Sequence, residues 1–202
     1  MLENVTGTNG KTSVVSFLRQ IWGAAGQRAA SAGTLGVELS EYADGAAPEL
    51  CYAINLTTPD PADLHRSLAE LVSHRIDHLG LEASSHGLAQ YRLDGVRVAA
   101  AAFTNLTRDH LDYHGNKTVY LAAKSRLFKE IVMEGGTVVI NADTPEADGL
   151  RSIATGRGLR VIDYGRDATD LVLLDVVADG TGQTFAVDIF GSRHEVRLPL
   201  PG

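Results

Sequence analysis

Short apolar runs alternate with amphipathic stretches along most of this chain, up to about Tyr164. The runs "LENVTG", "IDHLGLEAS", "VRVAAAAFTN", "GGTVVINAD" and "LRVIDYG" read as strands, each too short for a helix and bounded by turn residues. Between them lie helical periods. After Gly10, the residues Val14, Leu18, Ile21 and Ala25 fall on one face. A second helix opens with Asp60 as N-cap and Pro61 at its first position, and Leu64, Leu68, Leu71 and Val72 form its stripe. Two more are expected near residues 118–133 and 145–155. Strand and helix in alternation predict an α/β fold with a mostly parallel sheet flanked by helices. From Asp170 onward the pattern becomes strand, Asp-Gly turn, strand, Gly-Ser turn, strand, so a small antiparallel sheet is expected over residues 170–200.

Length and composition narrow the options. At 202 residues, 44% hydrophobic and 21% charged, the chain has enough apolar material for one domain with a real core. No apolar run approaches the roughly 20 residues of a membrane span, and the start lacks the pattern of a secretory signal. Cys51 is the only cysteine, which excludes an internal disulfide and a thiolate zinc cluster. A cytoplasmic protein is expected, with no membrane and no nucleic-acid partner, since the formal net charge is -7 and no basic block occurs. Any polyanion must be held locally, by backbone amides, one lysine and metal ions. The first strand begins almost at Met1 and the chain stops at "LPLPG" without a closing helix, so the sequence reads as a piece of a longer protein.

"VTGTNGKTSVV", residues 5–15, is the densest chemical signal. A glycine turn between an apolar strand and an amphipathic helix gathers free N–H groups and the positive end of the helix dipole. Gly7 and Gly10 permit the turn, Lys11 can reach a phosphate and the Thr12 hydroxyl can hold Mg²⁺. The loop is two residues shorter than the standard phosphate-loop spacing. The bland alternative is a glycine-rich turn with an exposed lysine.

Four further stretches carry candidate chemistry. In "HLGLEASSHGL" a strand ends in Glu82, where a nucleotide-binding sheet presents a metal carboxylate, followed by Ser84, Ser85 and His86. The competing reading is an N-cap serine beside a solvated glutamate. "FTNLTRDHLDYHG" places Asp109, His110, Asp112 and His114 just past another strand. His110 could ligate a metal alone, or pair with His114 as a zinc site, but no H-E-x-x-H pattern is present and magnesium fits better beside a phosphate loop. In "TVYLAAKSRLFKEIV", Tyr120, Leu121, Leu127, Phe128 and Ile131 form one stripe with Lys124 at its centre. Burying an ammonium there is costly unless its charge is paired or removed; otherwise it snorkels from the stripe's edge. "NLTTPDP" offers Thr57 and Thr58 before a helix, as substrate contacts or as caps.

Together, "TGTNGKT", "TTPDP", "EASSHGLAQYR", "FTNLTRDHLDYHG" and "YLAAKSRLF" resemble the Mur ligases, and within them the MurE branch. The phosphate loop and the Asp-His pair are common to the wider group, folylpolyglutamate synthetase included. "E-x-S-S-H-G-L" with "DHLDYHG" and "Y-x-x-A-K-x-x-L-F" are narrower, much more specific to the MurE branch. The resemblance implies the family's central ATP-binding domain over residues 1–202, with residues 170–200 as its small antiparallel sheet. The N-terminal UDP-binding and C-terminal ligase domains would lie outside this sequence. It further implies that Gly7, Thr8, Asn9, Gly10, Lys11 and Thr12 wrap the ATP phosphates. Thr12, Glu82, His110 and a carbamylated Lys124 would hold Mg²⁺, with Lys11, Glu82, His110 and Lys124 catalytic. Thr57, Thr58, Ser84, Gln90 and Arg92 would bind UDP-MurNAc-L-Ala-D-Glu, although Leu56 stands where some relatives carry an acceptor-binding asparagine. The implied reaction is amide formation through an acyl phosphate, adding diaminopimelate or lysine, by a monomer. A phosphate-loop switch or hydrolase, and a folylpolyglutamate synthetase-like ligase, are the alternatives.

Overall fold

The computed structural model describes residues 1–40, 48–50, 56–109 and 111–199. Ten strands form one sheet in the order β10-β9-β8-β7-β6-β5-β1-β4-β2-β3. They are β1 (Leu2–Thr6), β2 (Ala29–Gly33), β3 (Gly36–Leu39), β4 (His78–Glu82), β5 (Val98–Phe103), β6 (Val132–Asn141), β7 (Arg160–Gly165), β8 (Leu171–Asp179), β9 (Gly182–Ile189) and β10 (Ser192–Leu198). The helices are α1 (Lys11–Ala24), α2 (Pro61–Ser73), α3 (Ser85–Ala89), α4 (Leu111–His114), α5 (Lys117–Arg126), continued by a π-helical turn at Leu127–Ile131, and α6 (Ala147–Gly156). Among the described residues no helix is long and apolar enough to cross a membrane.

β1 lies at the middle of the parallel part, paired with β4 on one side and β5 on the other. The chain first builds out to β2 and β3, then comes back through β4, which inserts between β1 and β2, and next builds the opposite way through β5, β6 and β7. That reversal leaves a crevice beyond the carboxyl ends of β1, β4 and β5, the place where open α/β sheets bind ligands. The core beneath it is continuous, with Leu64, Leu81, Leu88, Phe103, Leu127, Phe128 and Ile140 fully buried. Each such side chain contributes about 1.5–3 kcal/mol through burial.

The expected antiparallel strands are present, but they extend the main sheet instead of standing apart. β8 joins β7 through the pairs Tyr164↔Leu171 and Gly165↔Val172, and β9 and β10 follow as a meander. Asp60 caps α2 by accepting from the N–H groups of Ala62 and Asp63. Two stripes are corrected. α1 packs through Val15, which sits against Gly80 of β4, with Leu18 and Trp22 half-buried on the same face, while Ile21 is 63% exposed. The close approach at Gly80, where a Cβ would meet Val15 at 3.2 Å, sets the helix phase to Val15 in place of Val14. On α2, Leu64, Ser67 and Leu71 face inward and Val72 is 72% exposed, one residue beyond the stripe.

β2 and β3 have no counterpart among the expected strands. β2 reads Ala-Ala-Ser-Ala-Gly, without a β-branched or aromatic residue, yet all five residues are buried. Small side chains are needed there because β2 lies between α1 and the Glu82 side chain, which folds over Gly33.

Candidate nucleotide and acceptor site

The glycine loop follows β1 directly. Gly7 has φ 152° and Gly10 φ 85°, both in the region that favours glycine, and a Cβ at Gly7 would lie 1.9 Å from Thr104 Oγ1. Gly10 is the N-cap of α1 and provides no side-chain cap, so the first turn of the helix presents its N–H groups to the crevice. The loop is braced from the segment after β5. Thr8 N donates to Asn105 O (2.9 Å), Asn9 N to Asn105 Oδ1 (3.0 Å), and Thr104 Oγ1 to Asn9 O (2.7 Å). Thr107 N donates to Thr8 Oγ1 at 3.0 Å.

Two lysines converge on this loop. Lys11 Nζ donates to the carbonyls of Gly7 (3.1 Å) and Thr8 (2.9 Å). Lys124 Nζ donates to the same Gly7 carbonyl at 2.8 Å and lies 4.6 Å from the Tyr120 ring centre. Lys124 is 1% exposed, at the centre of its stripe, so the snorkelling alternative does not hold. Burial, reinforced by the charge of Lys11 and opposed by Asp109, pushes its pKa down to about 7. Lys11 is lowered too, by burial, against the pull of Glu82 and Asp109.

Glu82, at the carboxyl end of β4, is 1% exposed and far from a solvated strand-end glutamate. Its Oε1 accepts from Thr12 Oγ1 and from the Thr34 backbone N–H, each at 2.9 Å. One cavity of about 260 Å³ is lined by Gly7, Thr8, Asn9, Gly10, Lys11, Thr12, Thr34, Thr57, Glu82, Ser84, Ser85, Tyr120 and Lys124. Oxygen donors at Thr12 and Glu82 and free amides at a helix start suit a magnesium-bound polyphosphate.

The acceptor candidates divide. Thr57 lines the cavity, with its hydroxyl 3.0 Å from that of Thr34. Ser84 lines it and caps α3 by accepting from Gly87 N at 3.0 Å. Thr58 is a brace: buried, it donates to Glu82 O and accepts from Ser84 N, both at 2.9 Å. Gln90 and Arg92 stand outside the cavity lining, paired through Arg92 Nε and Gln90 Oε1 at 2.9 Å, with Arg92 Nη1 on Thr58 O at 2.7 Å. Between them Tyr91 holds φ 59°, an unusual backbone for a bulky residue, under the Arg126 guanidinium 3.9 Å from its ring centre. His110 lies outside the described residues. His114 is buried in an aromatic cluster, 5.1 Å from the Tyr120 ring and 5.5 Å from that of His86. Thr34 belongs to no motif named from the sequence, while Thr104 and Asn105 lie within "FTNLTRDHLDYHG" without a role having been read for them. The pair Gly33-Thr34 after a short buried strand is the one local signal that could have pointed to Thr34.

Known proteins match this chain over nearly its whole length. The model of the Mur ligase middle domain matches residues 5–202. The UDP-N-acetylmuramoyl-L-alanyl-D-glutamate--2,6-diaminopimelate ligase of Bradyrhizobium diazoefficiens is 48% identical over 98% of this chain and 40% of its own length. The protein of the same name from Agrobacterium fabrum is 48% identical over 98% of this chain and 39% of its own. A solved structure of a ligase of that name superposes with a TM-score of 0.84 at 31% identity, covering 98% of this chain and 39% of the other. The chain thus spans about 40% of the length of the curated relatives it matches. With the family model covering nearly every residue, this chain belongs to the Mur ligase family, in the region of its middle domain.

Proposed function

We propose that this chain is the central ATP-binding domain of a cytoplasmic, monomeric amide ligase of peptidoglycan precursor synthesis. Its acceptor is UDP-MurNAc-L-Ala-D-Glu and the residue added is diaminopimelate, the amino acid named in its relatives. The UDP-binding and amino-acid-binding domains lie in the remainder of the longer protein. The observation that carries the reading is the convergence of Lys11, Thr12, Glu82 and Lys124 on one cavity at the sheet's switch point.

The chemistry asks two anions to meet, the acceptor carboxylate and the terminal phosphoryl group of ATP. The α1 amides and Lys11 offset that repulsion and hold the phosphoryl oxygens as the new oxygen–phosphorus bond forms and ADP leaves. Thr12, Glu82, His110 and the Lys124 carbamate would hold magnesium, which when bound adds a fixed positive charge beside the phosphates. Gln90 and Arg92, with Thr57 and Ser84 in the cavity lining, orient the acceptor. The amine of the incoming amino acid then attacks the acyl phosphate, forming the amide and releasing phosphate.

Lys124 reaches its working form by adding CO₂. Burial favours the neutral amine, its nitrogen bonds to the carbon of CO₂, and one proton leaves. The carbamate keeps an N–H for the Gly7 carbonyl and replaces a like charge beside Lys11 with an opposite one.

The test is phosphate release by the full-length protein with Mg-ATP, the acceptor, and diaminopimelate or lysine in separate reactions. Release that requires both the acceptor and diaminopimelate is expected. Release with neither would overturn the reading in favour of a phosphate-loop hydrolase or switch, and release driven by a folate acceptor would favour the folylpolyglutamate synthetase-like ligase.

A further inference from the structure

Thr34 touches both halves of the cavity. It follows β2, whose register with β4 pairs Ala32 with Leu81 and so sets Gly33 beside Glu82. The Glu82 carboxylate lies directly on Gly33, where a Cβ would stand 2.2 Å from Oε1. From there the Thr34 N–H donates to Oε1 at 2.9 Å and its hydroxyl reaches Oε2 at 3.4 Å. The same hydroxyl is 3.0 Å from that of Thr57. A glutamate has three rotatable side-chain bonds. Here they are fixed by a glycine floor below, the Thr34 donors on one side and the Thr12 hydroxyl on the other, at 2.9 Å.

We infer that Thr34 is a positioning residue that, with Gly33, holds the Glu82 carboxylate in the orientation required for a divalent cation beside Thr12, and ties that orientation to the acceptor side through Thr57. This rests on the proposed magnesium-nucleotide reading of the cavity. Partners that orient a carboxylate ligand fix its lone pairs, and their loss weakens metal binding about 10- to 100-fold. Thr34→Val keeps the backbone donor and removes only the hydroxyl, so the lower end of that range applies. Gly33→Ala forces the carboxylate from its place and should have the larger effect.

The experiment follows Mn²⁺ binding to the full-length protein by electron paramagnetic resonance, with and without a non-hydrolysable ATP analogue, alongside thermal melting. Thr34→Val should weaken Mn²⁺ binding about 10-fold while metal-free binding of the analogue and the melting temperature stay as in the wild type. Thr34→Ser should restore most of the loss, and Gly33→Ala should fall below Thr34→Val. Wild-type Mn²⁺ affinity in Thr34→Val overturns the inference and leaves the nucleotide reading standing. An equal loss of metal-free analogue binding overturns it in favour of a role in packing the loop. A wild-type protein that takes no Mn²⁺ overturns both the inference and the metal reading beneath it.

Discussion

Two buried charges, one on β7 and one on α5, are treated in opposite ways. Asp163 on β7 has its side chain 1% exposed, and its carboxylate accepts from Thr169 N (2.7 Å), Asp170 N (2.8 Å) and Arg151 Nη2 (2.9 Å). Burial alone would raise its pKa, but those backbone donors and the guanidinium outweigh it and hold it below the usual carboxylate range. Lys124 is equally buried, yet among the described residues its ammonium, with three protons, has one hydrogen-bond acceptor, the Gly7 carbonyl. A second ammonium shares that carbonyl. A charge that serves the fold is satisfied by the fold. Under the proposed function, one that the fold leaves short is held for a partner that arrives later, with CO₂, metal and nucleotide as the partners proposed.

Substitution should separate the two roles. Lys124→Met in the full-length protein should lower turnover on the order of 10²–10³-fold, the scale for losing one preorganised charged contact. Its melting temperature should hold or rise, since a half-satisfied buried ammonium is removed. Retained turnover would remove Lys124 from the chemistry. Asp163→Ala should do the reverse, costing about 3 kcal/mol of stability in denaturant titration because buried donors lose their acceptor, with the KM for ATP unchanged. A raised KM with intact stability would erase the distinction.

The two charges contribute to stability with opposite sign, and both contributions make stability rise with pH, each in its own window. Asp163 has a lowered pKa in the folded state, so its contribution is full above the unfolded value of 3.8 and is lost as pH falls through that region. Lys124 is also lowered, to about 7 from 10.5, but for a cation that is a cost, complete below pH 7 and relieved as pH rises towards 10.5. In CO₂-free melts, where Lys124 is the free amine, wild type should therefore gain on Lys124→Met between pH 7 and 10, and it should lose ground to Asp163→Ala below pH 4. A flat Lys124→Met difference across pH 7 to 10 would contradict the burial of a titrating amine.

The smallest effect concerns the corrected stripe. Leu64→Ala should cost about 2–5 kcal/mol, whereas Val72→Ala, one residue outside the buried face of α2, should stay within about 0.5 kcal/mol. Equal costs would restore the helix face expected from periodicity.

Much of this was legible in the sequence, for physical reasons. The phosphate loop, Glu82 and Lys124 each break a local rule: a short glycine turn, a carboxylate closing an apolar strand, a lysine inside an apolar stripe. The structure brings all of them to the lining of one cavity. Less legible were features set by tertiary contact. Val15 replaces Val14 because Gly80 lets α1 approach β4 there. β2 is hidden because strand propensity reflects packing surface, and its place between α1 and Glu82 admits only small side chains. Thr58 reads as a substrate threonine and is a brace, because its hydroxyl closes the β4–α3 turn from across the crevice. Thr34 has no motif at all and matters through the side chain it faces.

The most direct test of the contrast between the two charges is a ¹³C spectrum of the full-length protein equilibrated with ¹³CO₂. A single slow-exchanging carbamate resonance is expected, present in Asp163→Ala and absent from Lys124→Met. No carbamate signal in the wild type, or one that survives in Lys124→Met, would contradict the account of why this lysine is buried beside the phosphate loop.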